Sequence, residues 1–226
     1  MRILAIETST LTGSVALLAD DQICGEITLS VSVQHSERLM PAVDQLLRDC
    51  GMKSEEVDLY AVSQGPGSFT GLRIGIAAAQ GFSLAHKKPI VGVSSLAALA
   101  LNGIFFPGVV IPVFDAFRGE IYRGIYKSSV GANLDSPLPD LPDQLMSPSQ
   151  LLEELSALKE IILILGNGKK VCAELIQKNL GPERVTLAPA ILDTPRASQV
   201  AFLAARHTKG AGPTKEVLPI YLRAPG

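Results

Sequence analysis

The chain has 226 residues, 47% of them hydrophobic and 19% charged, with a formal charge of −2. That length can bury a proper core as one large domain or two small ones, and the composition excludes a disordered or fibrous chain. Basic residues form no block beyond pairs such as Lys87-Lys88 and Lys169-Lys170, so any nucleic acid is expected to be held through a partner rather than gripped unaided. Ile3 to Ile6 is too short an apolar run for a signal peptide, and no segment reaches the length needed to span a bilayer. Cys24, Cys50 and Cys172 are odd in number and form no CxxC. They read as reduced core thiols, and a cytoplasmic location is expected.

In chain order, residues 2–8, 14–19 and 23–29 read as a three-stranded meander broken by turns at Ser9-Gly13 and Asp20-Asp21. Apolar residues then recur at helical spacing, Leu39, Val43, Leu46 and Leu47, up to Gly51, which suits a helix C-cap. A strand over 59–63 leads into Gly65-Pro66-Gly67-Ser68, followed by a helix over about 70–85 and a strand over 90–93. The second half repeats this order. A hairpin is expected from strands 109–115 and 120–126, and a Pro-rich stretch covers 136–142. Ser147-Pro148-Ser149-Gln150 then carries an N-cap Ser, a Pro at the first helical position and a capping-box Gln, which starts a helix running to about 159. A strand at 161–165, the turn Gly166-Asn167-Gly168, a helix to about 180, a strand near 184–187 and a helix over 197–207 complete the set, and 219–223 reads as a short extended tail. Two such units suggest a duplicated α/β architecture with mixed sheets, divided near Asn102-Gly103 into 1–103 and 104–226.

Three places carry candidate chemistry. The turn from Glu7 to Gly13, with Ser9, Thr10 and Thr12, reads either as an anion-receiving turn, with Glu7 holding Mg²⁺ through water, or as an ordinary hairpin turn bonding its own backbone. Gly65 to Arg73 is a glycine-rich entry to a helix, but it lacks the spacings of a dinucleotide fold or a P-loop. Gly71, Gly75 and Ala79 lie four apart, as do Ala77, Gly81 and Ala85 on another face. Glycine inside a helix costs about 1 kcal/mol against alanine, so such stripes point to close packing, either with the chain's own elements or with another subunit. Gly166 and Gly168 mark a third place where backbone could approach a nucleotide, or a plain turn. His35, His86 and His207 include no i, i+4 pair, and no serine stands in a GxSxG context, so neither a helical metal site nor a serine hydrolase is indicated.

The runs His35-Ser36-Glu37-Arg38-Leu39-Met40-Pro41, Gly65 through Arg73 and Val91-Gly92-Val93-Ser94-Ser95-Leu96 resemble the bacterial TsaB family, also called YeaZ. The likeness continues through Asp115-Ala116, Gly119-Glu120-Ile121-Tyr122 and Tyr221-Leu222-Arg223. The resemblance implies an actin-like (ASKHA, RNase H-like) fold of two related subdomains. It also implies a role in forming N6-threonylcarbamoyladenosine in tRNA, beside the catalytic paralogue TsaD and the ATPase TsaE. In TsaD-like chains two metal-binding histidines four apart stand where this chain has Ser95 and Leu99, so a non-catalytic subunit is expected. Glu7 replaces the Asp that usually ends the first strand of actin-fold ATPases. No cofactor is expected in isolation, with ATP or ADP confined to the complex, and the nucleotide candidates are Glu7, Ser9, Thr10, Thr12, Gly65, Gly67, Gly166 and Gly168. Leu39, Val43, Leu46, Gly71, Leu72, Gly75 and Ala79 are expected to face TsaD, or a second copy when it is absent. The alternative is an actin-fold phosphotransferase, ATPase or peptidase active on its own.

Overall fold

The computed structural model describes residues 1–30, 35–127, 141–207 and 216–223. The first sheet is built from β1 (Arg2–Glu7), β2 (Thr12–Ala19), β3 (Gln22–Ser30), β4 (Leu59–Gly65) and β5 (Ile90–Ser94), in the order β3-β2-β1-β4-β5. β1 pairs antiparallel with β2 and parallel with β4, so the meander continues into a parallel half. Strand alternation sends Leu4, Ile6, Val15 and Leu17 to one face, where Leu39, Val43 and Leu46 of α1 (His35–Asp49) and Ile76 and Ala79 of α2 (Phe69–His86) close the core. Ser14 points to the opposite face and accepts a hydrogen bond from Ala197 N, the first residue of α6 (Ala197–His207).

The second sheet repeats the arrangement. Its order is β10-β9-β6-β7-β8, from β6 (Val109–Asp115), β7 (Ile121–Lys127), β8 (Leu141–Met146), β9 (Ile162–Leu165) and β10 (Val185–Leu187). Read from the other edge, it is again third, second, first, fourth and fifth strand of its unit. Helices α4 (Pro148–Ala157) and α5 (Lys169–Leu180) cover one face through Leu151, Leu155, Cys172 and Ile176. The expected capping box starts α4: Ser147 Oγ accepts from Gln150 N, and the Gln150 side chain accepts from Ser147 N.

Among the described residues, one strand and one α-helix went unanticipated. β8 begins at the end of the Pro-rich stretch 136–142, of which 136–140 lie outside the described residues; Pro142 is tolerated because β8 is an edge strand. A short helix, α3 (Ser95–Ala100), follows β5 directly. The grouping by packing also differs from a single division near residue 103. One unit comprises Met1–Ala98 with Pro195–Tyr221, and the other Leu99–Thr194 with Leu222–Gly226. Helix α6 thus packs with the first sheet although it follows the whole of the second. No helix among the described residues is long and apolar enough to cross a membrane.

In the second unit Arg123 on β7 is fully buried and faces α4. Its guanidinium donates to both carboxylate oxygens of Glu154, at 2.9 and 2.6 Å, and to Pro142 O and the Gln144 side chain of β8. A buried cation is tolerated only while paired and hydrogen-bonded. Glu154→Ala strands that charge and is expected to cost about 3 kcal/mol, measured as a lower urea midpoint at unchanged m-value, whereas surface Glu153→Ala should leave the midpoint in place.

Candidate functional site

The glycine-rich link between β4 and α2 is shaped by contacts with its own unit. Gly65 has φ +114 and Gly65-Pro66 is a cis peptide bond. A Cβ on Gly65 would lie 2.7 Å from Ile220 O, and one on Gly67 would press into Ser9 O. Ser68 caps α2 by accepting from Gly71 N at 3.2 Å, and its own N–H donates to Ser9 O at 2.7 Å. The tail lies alongside: Ile220 N donates to Gln64 O at 2.7 Å, Gln80 Nε2 donates to Val217 O, and Arg73 donates to the Tyr221 hydroxyl at 2.9 Å. The Arg73 guanidinium lies 3.8 Å from the centre of the Phe69 ring, which packs on Tyr221. The motif residues from Gly65 to Arg73 and Tyr221 of the tail therefore form one clamp.

The turn after β1 bonds in part to itself. Ser9 N donates to Glu7 Oε1 at 2.5 Å, Thr12 N to Thr10 Oγ1 at 3.2 Å, and Thr10 Oγ1 to Thr12 O. Glu7 and Ser9 are buried, and Glu7 Oε2 and Ser9 Oγ find no hydrogen-bond partner. Burial pushes the Glu7 carboxyl above its ordinary pKa, opposed by hydrogen bonds from Ser9 and Ser63. Of the nucleotide candidates, Glu7, Ser9, Thr10, Thr12, Gly65 and Gly67 are thus brought together in the first unit, but as an ordinary turn. The amides of Ser9 and Thr12 already donate within the turn, and the Glu7 carboxyl is closed off from solvent.

Gly166 and Gly168 belong to the second unit, in the turn from β9 to α5. Gly166 N donates to Asp193 Oδ1 at 2.8 Å and Gly168 N to Val113 O at 3.1 Å. A Cβ at either position would collide with the β6 backbone, at Val113 O for Gly166 and at Phe114 for Gly168. These glycines admit a neighbouring strand. Beside them, the β6-β7 hairpin turns through Phe117, Arg118 and Gly119 at φ +60, +56 and +76. Asp115 braces it by accepting from Phe117 N at 2.8 Å and pairing with Lys170 at 2.9 Å. Burial works against the Asp115 carboxylate, yet Lys170 and the Phe117 amide hold its pKa below the ordinary value. Arg223 closes the hairpin from the other side through Ala116 O and Glu120.

The seven residues expected at a partner interface are core residues, which corrects that assignment. Leu39, Val43, Leu46, Leu72 and Ala79 are at most 6% exposed, and Gly71 and Gly75 are buried. The stripe Gly71-Gly75-Ala79 lets α2 sit directly on the end of β1: a Cβ at Gly71 would meet Thr8 O, and one at Gly75 would meet Thr8 Oγ1. The second stripe behaves differently. Ala77, Gly81 and Ala85 are exposed, a Cβ at Gly81 meets nothing within 4 Å, and the neighbouring Leu84 is 82% exposed. The sequence carried this signal as a second four-residue period, without saying which of the two faced outward. Of the histidines, His86 stacks against Phe82 and Tyr60. Among the described residues, no three of His, Cys, Asp and Glu stand together where they could hold a metal ion.

Comparison with known proteins gives a consistent set of relatives. The family model "TsaD: tRNA N6-adenosine threonylcarbamoyltransferase" matches residues 23–225. The tRNA threonylcarbamoyladenosine biosynthesis protein TsaB of Bacillus subtilis is 38% identical over 99% of this chain and 94% of its own length. YeaZ from Pseudomonas aeruginosa superposes with a TM-score of 0.82 at 28% identity, over 98% of this chain and 99% of that one. The ethanolamine utilization protein EutJ of Carboxydothermus hydrogenoformans shares the fold alone, at a TM-score of 0.52 and 11% identity over 89% of each chain. The architecture is accordingly the actin-like one, with two mixed sheets flanked by helices.

The buried carboxyl of Glu7 sets a pH dependence. With its folded pKa above the unfolded value near 4.5, the folded state holds more protons, so its stability falls as pH rises from about the unfolded value through the folded one. Urea unfolding across that window should show this decline in the parent chain. Glu7→Gln should flatten it and be the more stable form at neutral pH.

Proposed function

Because the chain belongs to the TsaB family, whose curated members are named as tRNA threonylcarbamoyladenosine biosynthesis proteins, we propose that it serves threonylcarbamoyladenosine formation as a non-catalytic subunit. In this reading it binds a TsaD-like catalytic paralogue together with a TsaE-like ATPase, and tRNA reaches it only through that complex. Any adenine nucleotide is likewise held by the assembled complex and not by this chain alone.

The observation that carries the reading is the identity of two residues on α3. Ser95 and Leu99 stand one helical turn apart and are fully buried, and the family resemblance sets them at the positions of the paired metal-binding histidines of TsaD-like chains. A leucine side chain offers no lone pair to a metal, and one serine hydroxyl does not replace two imidazoles. The autonomous-enzyme alternative is weakened by the self-bonded turn at Glu7, which leaves no receiving amides at Ser9 and Thr12 for a phosphoryl group.

The partner surface in this reading is the outward side of α1 and α2. Ala77, Gly81 and Ala85 present a shallow strip on which another helix can lie close, and the same two helices carry the exposed apolar Met40 and Leu84 and the exposed charged residues Glu37, Arg38 and Arg73. A paralogue of the same fold, or a second copy, can meet it across a two-fold axis with the equivalent helices.

Gly81→Arg tests this surface without touching the core. The variant should melt like the parent chain yet lose co-purification with the TsaD-like protein, and cells relying on it should show less threonylcarbamoyladenosine in nucleoside digests of tRNA. Retained co-purification would reject this surface. Transfer of threonylcarbamoyl to tRNA by the purified chain alone would reject the non-catalytic assignment.

A further inference from the structure

Outside the sites already described, the first unit brings two free thiols to one place. Cys50 follows the C-terminal end of α1 and is half-buried, while Cys24 lies exposed on the edge strand β3. Between them is Gly25. A Cβ built on Gly25 would lie 3.2 Å from Cys50 Sγ and 2.8 Å from Leu46, so the missing side chain is what lets the Cys50 sulfur settle against β3. Regular alternation along β3 would send Cys24 to the other face, with Glu26, which bonds Ser198 of α6. The register breaks that alternation. Leu17 pairs with Gly25 but Leu18 pairs with Ile23, leaving Cys24 as the extra residue of a β-bulge, and bulges re-aim side chains in this way.

We infer that Cys24 and Cys50 are a redox modification site, a dithiol that closes to an intramolecular disulfide and staples the edge strand to the end of α1. One further feature fits this role, and another sets its conditions. Burial first, then the neighbouring Cys24 thiol and Asp49, raises the Cys50 pKa, so its thiolate forms at alkaline pH. Exposed Cys24 is the thiol that an external oxidant meets, and half-buried Cys50 is placed to resolve.

The oxidant is a low-molecular-weight disulfide, RSSR. The Cys24 thiolate attacks one of its sulfurs; the RS–SR bond breaks, a Cys24–SR bond forms, and the released thiolate takes up the proton that Cys24 lost. The Cys50 thiolate then attacks the Cys24 sulfur and expels the second RS⁻, which takes the Cys50 proton. The protein dithiol is oxidised by two electrons, and RSSR is reduced to two RSH. Cys172 takes no part: it is buried, and burial pushes its thiol up to about 12.

The test uses the reduced full chain with oxidised glutathione at mildly alkaline pH, followed by intact-mass measurement and non-reducing peptide mapping. The expected result is a loss of two hydrogens in mass, with a peptide linking positions 24 and 50 that dithiothreitol abolishes. Cys172→Ser should behave like the parent chain, and Cys50→Ser should stop at a stable glutathione adduct on Cys24. A parent chain that accumulates the Cys24 adduct, forms only disulfide-linked dimers, or fails to react would overturn the assignment.

Discussion

Much of the first unit depends on the close seating of α2 on the end of β1. Thr8 continues the chain from β1 and donates its hydroxyl to Gly71 O at 2.8 Å, while Gly71 and Gly75 leave the room its backbone and side chain occupy. Any larger residue at those positions would push α2 away from the strand. Because Ser68 both caps α2 and donates to Ser9 O, the helix start, the glycine-rich link and the turn after β1 are held as one body. The tail residues Ile220 and Tyr221 then lock onto that body through Gln64 and Arg73. The glycine-rich entry to α2 brings backbone against backbone.

The second unit reaches the same strand order by different means. Both sheets meet their helices through apolar residues, and the second adds a buried guanidinium, Arg123, set against Glu154 and the carbonyl of Pro142. That network ties β7, β8 and α4 together and holds the edge strand, whose sequence Leu-Pro-Asp-Gln-Leu-Met has little strand propensity of its own. At the β6-β7 hairpin the bracing by Asp115, Lys170 and Arg223 holds Phe117 and Arg118 in left-handed backbone, which costs an ordinary residue about 1–2 kcal/mol.

Function in a duplicated fold of this kind rests on sites, because the fold itself hosts many chemistries. Here Ser95 and Leu99 are fully buried, and Glu7 and Ser9 turn their polar side chains inward. The outward strip of α2 combines small side chains with the exposed Leu84, a combination that nothing in the chain's own core requires.

The sequence by itself determined the order and kind of nearly all the elements, the duplication, and the capping box of α4, because these follow from local periodicity and from hydrogen bonds spanning three or four residues. It also showed that α2 carries two stripes of small residues. Only the tertiary structure decided which stripe is core and which is surface, since periodicity tells which residues share a helix face and not what covers that face. The same limit explains Leu39, Val43 and Leu46, whose spacing suits a partner's helix and the chain's own sheet equally well. β8 escaped notice because its pairing comes from Arg123 and β7, not from its own residues. The return of α6 to the first unit is fixed by Ser14 and Glu26 at its start, contacts more than 170 positions distant in the chain, beyond the reach of any local pattern.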